Sequence, residues 1–159
     1  MTLAFSAATI EAQISSDIQA CETLLALLER EQTALESRDA ESLAEIIELK
    51  TPQLAHLEAS AKQRAIWATN SKIDKSTEGF QTLLSELNQE KIKLDWQNLG
   101  ELTKQCKEHN EINGKILMRQ QQVYGRLLEI MRGQTQAPNL YNAYGAATNN
   151  RASHKVDEA

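Results

Sequence analysis

A heptad spacing of apolar residues near the start of the chain constrains the fold more than any other sequence feature. The repeat alternates steps of four and three residues, with one polar interruption, through Ile14, Ile18, Cys21, Leu25, Leu28, Gln32 and Leu35. Residues with this spacing share one face of an α-helix, and a second helix packed on that face buries them. The spacing therefore predicts a long first helix, at about residues 8–36, with coiled-coil packing.

A second seam follows a polar break at residues 36–39, and its members are Leu43, Ile47, Lys50, Leu54, Leu57 and Ala61. Asp39 is a good N-cap for this second helix, at about residues 40–68, because its carboxylate can accept a first-turn N–H. Two such helices joined by a short polar turn predict an antiparallel hairpin. Pro52 predicts either a kink near Lys50 or a helix that restarts with Thr51 as its N-cap.

Two more helices are predicted after a polar linker at residues 69–77. A short one, at about 78–88, has an apolar face of Phe80, Leu83, Leu84 and Leu87. The last, at about 91–132, ends before a C′ glycine, Gly133, and its seam is Leu99, Leu102, Cys106, His109, Asn113, Ile116, Gln120, Val123, Leu127 and Ile130. Polar seam residues such as Asn113 have two interpretations. They fix the packing register at some cost in stability, or they make the helix only moderately stable, so that it can change its packing partner.

These patterns predict the all-α fold class, with long antiparallel helices in a hairpin or bundle of coiled-coil character. Aromatic residues make up 4% of the chain, beside six glycines and two prolines, which argues against a sandwich or barrel. We expect one helical domain at residues 1–132. A flexible tail is expected at 133–159, because Leu140 and Val156 are its only large aliphatic residues.

Charge is unevenly distributed along this chain of net charge −5. Residues 1–36 contain six acidic residues and one basic residue, whereas the remainder has 16 of each, which argues against nucleic acid as a partner. No stretch approaches the roughly 18 apolar residues of a membrane helix. Cys21 and Cys106 fall on apolar helical positions, as expected for reduced, buried thiols. We expect a cytoplasmic protein without membrane insertion.

No arrangement of residues predicts catalysis. His56, His109 and His154 lie on separate segments without a cysteine or carboxylate at metal-ligand spacing, and the chain has no Gly-rich phosphate loop or nucleophile elbow. His109 is interpreted as a half-buried seam residue whose polar groups are satisfied. The prediction is a non-enzymatic protein with no catalytic residues, no metal and no cofactor.

The end of the last helix has more apolar residues than one seam uses. Beside the seam residues Ile116, Val123, Leu127 and Ile130 runs a second stripe of Leu117, Tyr124, Leu128 and Met131. Together the two stripes cover an arc of about 160° around the helix axis. The apolar stripe of a helix buried on one side covers roughly 100°. We expect the seam to pack on the protein's own helices and the second stripe to be open to a partner helix. The alternative is burial of both in the bundle. The predicted substrate-binding residues are Ile116, Leu117, Val123, Tyr124, Leu127, Leu128 and Met131.

The tail has two tyrosines, Tyr141 and Tyr144, in the otherwise small and polar stretch PNLYNAYGAATNN at residues 138–150. A tyrosine ring supplies a large contact area at little rotamer entropy, which is typical of linear binding elements. The alternative is an inert terminus.

Two stretches of the C-terminal third, KEHNEINGKIL and QAPNLYNAYGAATNN, resemble the FlgN-type flagellar export chaperones. That family shows an Asn-x-x-Asn-Gly stretch on its last long helix, here Asn110 to Gly114. A proline, a Leu-Tyr pair and a glycine follow, here Pro138, Leu140-Tyr141 and Gly145. The acidic first helix and the hairpin also look like the family, whereas Asn-Ala-Tyr after Tyr141 replaces the family's Gly or acidic turn.

The resemblance implies a cytoplasmic chaperone of flagellar type III export. Such a chaperone binds the C-terminal helices of the hook–filament junction proteins FlgK and FlgL, keeps them unassembled and delivers them to the export gate. The resemblance also implies that the last helix engages the substrate and that Leu140 and Tyr141 dock to the cytoplasmic domain of the export-gate protein, a role that Tyr144 could share. The export ATPase complex is a further candidate partner. The alternative is a coiled-coil stalk or adaptor subunit of a secretion machine, which would need an uninterrupted seam.

Overall fold

The computed structural model describes residues 5–71 and 77–133, of which 92% are helical and none forms a strand. The helices are α1 (Ala7–Ser37), α2 (Ala40–Asn70), α3 (Thr77–Glu86) and α4 (Glu90–Met131). The predicted all-α fold class is confirmed, and every helix end lies within two residues of its predicted position. Most of the predicted linker and the tail lie outside the described residues.

The chain divides into two compact units, Met1–Met118 and Arg119–Ala159. The first contains α1, α2, α3 and α4 as far as Met118. The described part of the second is the remainder of α4 with Arg132 and Gly133. A single helical domain at 1–132 stays a prediction.

Capping residues explain where the hairpin helices begin and end. Ser6 accepts the N–H of Thr9 at 3.2 Å and begins α1. Arg38 ends α1 in the left-handed conformation, with φ 56°. Asp39 accepts the N–H of Ser42 at 3.1 Å, which confirms it as the N-cap of α2, and the hydrogen bonds from Ser42 lower the pKa of its carboxyl. This short turn reverses the chain, so α1 and α2 are antiparallel.

Helix α2 continues through Pro52. The predicted alternative, a restart with Thr51 as N-cap, is wrong. The hydroxyl of Thr51 instead donates to the carbonyl oxygen of Ile47 at 2.9 Å, as it does inside a continuous helix. The Pro52 ring is exposed, so the helix around it tolerates the missing N–H where water can reach the backbone.

Hydrogen bonds between α1 and α4 give the topology of the first unit. The Cys106 thiol lies 3.5 Å from the carbonyl oxygen of Cys21, and Asn113 Nδ2 lies 2.9 Å from that of Leu28. From the first bond to the second, the residue numbers increase on both helices, from Cys21 to Leu28 on α1 and from Cys106 to Asn113 on α4. This part of α4 therefore runs parallel to α1 and antiparallel to α2. The short α3 lies in the connection between α2 and α4.

The largest buried cluster of the first unit lies where α1 and α4 begin and α2 ends. Its members are Phe5, Ile10, Ile14, Cys21, Trp67, Phe80, Leu83, Leu84, Ile92 and Leu99. The predicted apolar face of α3 is buried here, with the Phe80 ring 4.9 Å from the Trp96 ring. Burial of these large side chains anchors α3, which is too short to be a stable helix in isolation.

The buried face of α2 differs from its predicted seam, which is wrong at Ile47, Leu54 and Ala61. Ile47 is 58% exposed and Leu54 is 50% exposed. The residues one position earlier are buried or half-buried instead, namely Ile46, Gln53 and Ser60. This face also includes Lys50 and Arg64, whose charged groups pair with Glu31 and Asp17 of α1. A pattern of apolar residues cannot detect such pairing.

Candidate functional site

The end of α4, in the second unit, exposes a broad set of apolar side chains. Val123, Tyr124, Leu127 and Leu128 are each about half exposed, and Met131 is 82% exposed. Among the described residues, the seam members Val123, Leu127 and Ile130 are exposed, so the expected burial of the seam is wrong at these positions. The alternative, burial of both stripes, is wrong as well. Periodicity shows which residues share a helix face, but it does not show whether a partner helix lies along that face.

The predicted substrate-binding residues all lie on α4 and divide between the two units. Ile116 is half-buried and Leu117 is 45% exposed in the first unit. The remaining members, Val123, Tyr124, Leu127, Leu128 and Met131, belong to the second. Their role in binding stays a prediction.

Basic residues accompany the apolar end of α4. Between positions 115 and 132 the sequence has one acidic residue, Glu129, and the basic residues Lys115, Arg119, Arg126 and Arg132. All four basic side chains are exposed. Such an excess of positive charge beside an apolar stripe favours a partner with acidic residues next to its own apolar face.

Gly133 ends α4 with φ +69°, and its N–H donates to the carbonyl oxygen of Ile130 at 3.1 Å. The predicted C′ glycine is therefore confirmed, because this left-handed conformation favours glycine. The predicted docking residues Leu140, Tyr141 and Tyr144 lie outside the described residues, and their role stays a prediction.

A second apolar surface lies in the first unit, and the sequence did not single it out. Residues of α2 and α4 form its walls and α1 forms its floor. It consists of two cavities of about 350 and 290 Å³ that share Asn110 in their linings. We call it the α2–α4 groove, and its apolar lining is Leu24, Leu28, Leu35, Leu43, Ile47, Leu54, Leu57, Cys106 and Leu117. Its sequence signal is the α2 seam, because Leu43, Ile47, Leu54 and Leu57 of that seam line the groove.

A buried ionic contact holds the helices of the first unit together beside the main core. The Asp17 side chain is fully buried on α1 and pairs with the guanidinium of Arg64 on α2. His56 Nε2 lies 3.1 Å from the second carboxylate oxygen. The guanidinium also lies 5.5 Å from the centre of the Trp96 ring on α4, within cation–π range. The residues of this contact are far apart in the chain, so no local sequence pattern indicates it.

A second polar contact joins the three long helices at the groove. Asn113, which is buried, donates from Nδ2 to Glu31 Oε2 at 2.8 Å. Lys50 Nζ lies 3.0 Å from the other oxygen of the same carboxylate. The seam asparagine is therefore paired across the helix interface, as a residue that sets register would be.

The chemistry of the remaining polar groups does not assemble a reactive site within the described residues. Cys21 and Cys106 are buried free thiols. Burial, with a smaller effect of the neighbouring Cys21, raises the pKa of Cys106 to about 11, and burial also raises the pKa of Cys21. Such thiols are protonated and poorly nucleophilic at neutral pH.

His109 is half-buried, as predicted, but its Nδ1 has no hydrogen-bond partner in the part of the chain that the structure describes. The described residues also contain no group of three His, Cys, Asp or Glu side chains that could hold a metal ion. None of the helices in residues 5–71 and 77–133 combines the length and apolarity needed to span a bilayer.

Comparison with known proteins adds an independent observation. The model of the family described as FlgN protein matches residues 1–149. The chain is also similar to the crystal structure of a flagella synthesis protein FlgN from Pseudomonas aeruginosa, at 28% identity and a TM-score of 0.64. That alignment covers 79% of this chain and 98% of the Pseudomonas chain. None of the curated proteins matches.

Proposed function

The chain belongs to the FlgN family of flagellar synthesis proteins, and from this premise we propose that it is a non-enzymatic, cytoplasmic chaperone of flagellar type III export. It binds the C-terminal helices of the hook–filament junction proteins FlgK and FlgL. It keeps them unassembled and delivers them to the cytoplasmic domain of the export gate, with the export ATPase complex as a further partner.

The observation that carries this proposal is the exposed apolar end of α4. Val123, Tyr124, Leu127, Leu128 and Met131 lie within nine residues and are all exposed. Contiguous exposed apolar surface of this kind marks an interaction site, because leaving it in water promotes aggregation. An amphipathic helix from a partner would cover it with side chains at positions i, i+3, i+4 and i+7.

Charge supports the same assignment. The basic residues beside the stripe would attract an acidic cargo helix and accelerate its association, while the apolar contacts would supply most of the affinity. A chaperone needs this combination, since it must find a cargo before that cargo aggregates. In the second step of the proposed function, Leu140 and Tyr141 of the tail dock to the export gate, and Tyr144 contributes less.

The test is a double charge substitution, Leu128→Asp with Met131→Asp, in the full chain. We expect the affinity for the C-terminal segment of FlgK, measured by isothermal titration calorimetry, to fall at least thirtyfold, because a buried anchor residue contributes roughly 2 kcal/mol. The helical circular dichroism signal should be unchanged, because exposed side chains contribute little to the fold. Leu94→Asp is the matched control, since Leu94 is also exposed on α4, at 61%, but lies far from the stripe. Equal affinities for the double variant and wild type would reject the proposed substrate face.

A further inference from the structure

We infer that the α2–α4 groove is a second docking surface, which receives an amphipathic helix of the same export cargo and allows that helix to approach α4 closely at Gly114. This inference rests on the proposed chaperone function and assigns it a second binding site, within the first unit. Three features of the groove support it: exposed apolar side chains, a helix glycine that packing among the described residues does not require, and a lysine without an ionic or hydrogen-bond partner among those same residues.

Two large apolar side chains of α2, Ile47 and Leu54, face the groove rather than the protein's own core. Ile47 and Leu54 are exposed although they occupy heptad positions, and each lines one of the two cavities. The face of α2 towards α1 instead includes Gln53 and Ser60. Apolar residues at seam spacing that the fold does not cover favour a helix from outside the fold as their partner.

Gly114 lines the groove in the interior of α4. A Cβ added there would have no neighbour within 4 Å, so packing inside the described residues does not require glycine. Glycine is also less favourable than alanine in a helix interior. The missing side chain is instead useful to a partner, because glycine permits close approach of another backbone.

The charged residues of the groove lining indicate which charge the occupant has beside its apolar face. Glu31 in the groove lining is already bonded to Lys50 and Asn113. Lys107, which also lines the groove, is exposed and has no ionic or hydrogen-bond partner within residues 5–71 and 77–133. A carboxylate on the occupant would pair with it.

The length of the groove fits a helix of several turns. Its α4 wall runs from Thr103 to Leu117, about 21 Å at 1.5 Å per residue. The occupant is therefore an amphipathic helix of about four turns. It has large apolar residues at i, i+4, i+7 and i+11, a small residue opposite Gly114 and an acidic residue near Lys107.

The first experiment compares two glycine substitutions on α4, Gly114→Gln and Gly100→Gln. Gly100 is likewise surrounded by open space but does not line the groove, so it is the matched control. Both variants should melt about 3 °C higher than wild type, because glutamine is the better helix former. Only Gly114→Gln should weaken binding of the FlgK C-terminal segment, by about tenfold. Equal affinities for the two variants would overturn the inference.

The second experiment locates the occupant directly. Ile47 or Leu54 is replaced by the photoreactive residue p-benzoylphenylalanine, with Ile66, exposed on α2 outside the groove, as control. Crosslinks to the FlgK segment from Ile47 and Leu54 but not from Ile66 support the inference. Crosslinks from the groove to residues 134–159 of the same chain, or to a second copy, overturn it in favour of those occupants.

The two proposals fail in different ways. The groove is rejected and the chaperone function kept if the double variant Leu128→Asp with Met131→Asp loses binding, Gly114→Gln binds normally, and neither Ile47 nor Leu54 gives crosslinks to the FlgK segment. Absence of binding between the wild-type chain and the junction-protein segments rejects the chaperone function and the groove together.

Discussion

Asn113 on α4 donates from Nδ2 to the main-chain carbonyl oxygen of Leu28 on α1, across 2.9 Å. The same amide nitrogen reaches Glu31, one helical turn further along α1, at 2.8 Å. A shift of either helix by one residue would break both bonds and leave the buried amide nitrogen of Asn113 unpaired, at a cost of about 1–3 kcal/mol. This single side chain therefore sets the register of α1 and α4 in the first unit.

Asn113→Asp should destabilise the protein by about 2 kcal/mol at neutral pH, because it places a second carboxylate beside Glu31 in a buried position. Burial and Glu31 would raise the pKa of the introduced carboxyl above its unfolded value of about 3.9. A raised folded-state pKa means that stability is retained below about pH 4 and lost as pH rises through the folded-state value. Urea denaturation from pH 3 to 7 measures this. Asn113→Leu is the control and should lack the pH dependence; an identical profile for both would contradict the register assignment.

Asp17→Asn should destabilise the protein by about 3 kcal/mol, because it leaves the Arg64 guanidinium partly buried without its carboxylate. The matched control is Glu58→Gln, which removes the exposed ion pair with Lys62 and should have no measurable effect. Urea midpoints followed by circular dichroism give both values. Equal midpoints for the two variants would show that the buried contact contributes no more than a surface pair.

The buried thiols predict a loss of stability at high pH. Because the pKa of Cys106 is raised from 9.0 to about 11 in the folded chain, the unfolded chain releases its proton first as pH increases. The thiol's contribution is therefore fully present below about pH 9 and lost as pH rises towards 11. Thermal melts over this range should show a smaller alkaline decrease for Cys106→Ala than for wild type. Parallel curves would show that other groups cause the decrease.

Tyr141→Ala should weaken docking of the chaperone at the export gate about thirtyfold and leave cargo binding unchanged, because a buried tyrosine anchor is typically worth about 2 kcal/mol. Tyr144→Ala is the comparison and should weaken docking at the gate by a smaller factor, since only Leu140-Tyr141 matches the family element. Titration against the purified gate domain, with the FlgK segment already bound, measures each effect. A similar loss of cargo affinity in Tyr141→Ala would show that the tail is not a separate docking element.

Much of the architecture could be predicted because it depends on local chemistry. Asp39 caps α2 through an N–H three residues away, and Gly133 ends α4 through its own backbone conformation. The α1 seam also lies on the buried face at Ile14, Cys21, Leu28 and Leu35. These features require only the spacing of residues along one helix, so the order and extent of the four helices followed from the sequence.

Tertiary structure decided which face of each helix is buried and which is exposed. The heptad spacing predicts Ile47 and Leu54 as core residues, but they are exposed, because Ile46 and Gln53, one position earlier, lie on the face towards α1. Val123 and Leu127 continue the α4 seam by spacing, yet are exposed as well. Periodicity specifies a stripe on one helix, whereas burial requires a second surface at the right place. That second surface depends on long-range pairs such as Asp17 with Arg64 and Asn113 with Leu28, which only the folded chain brings together.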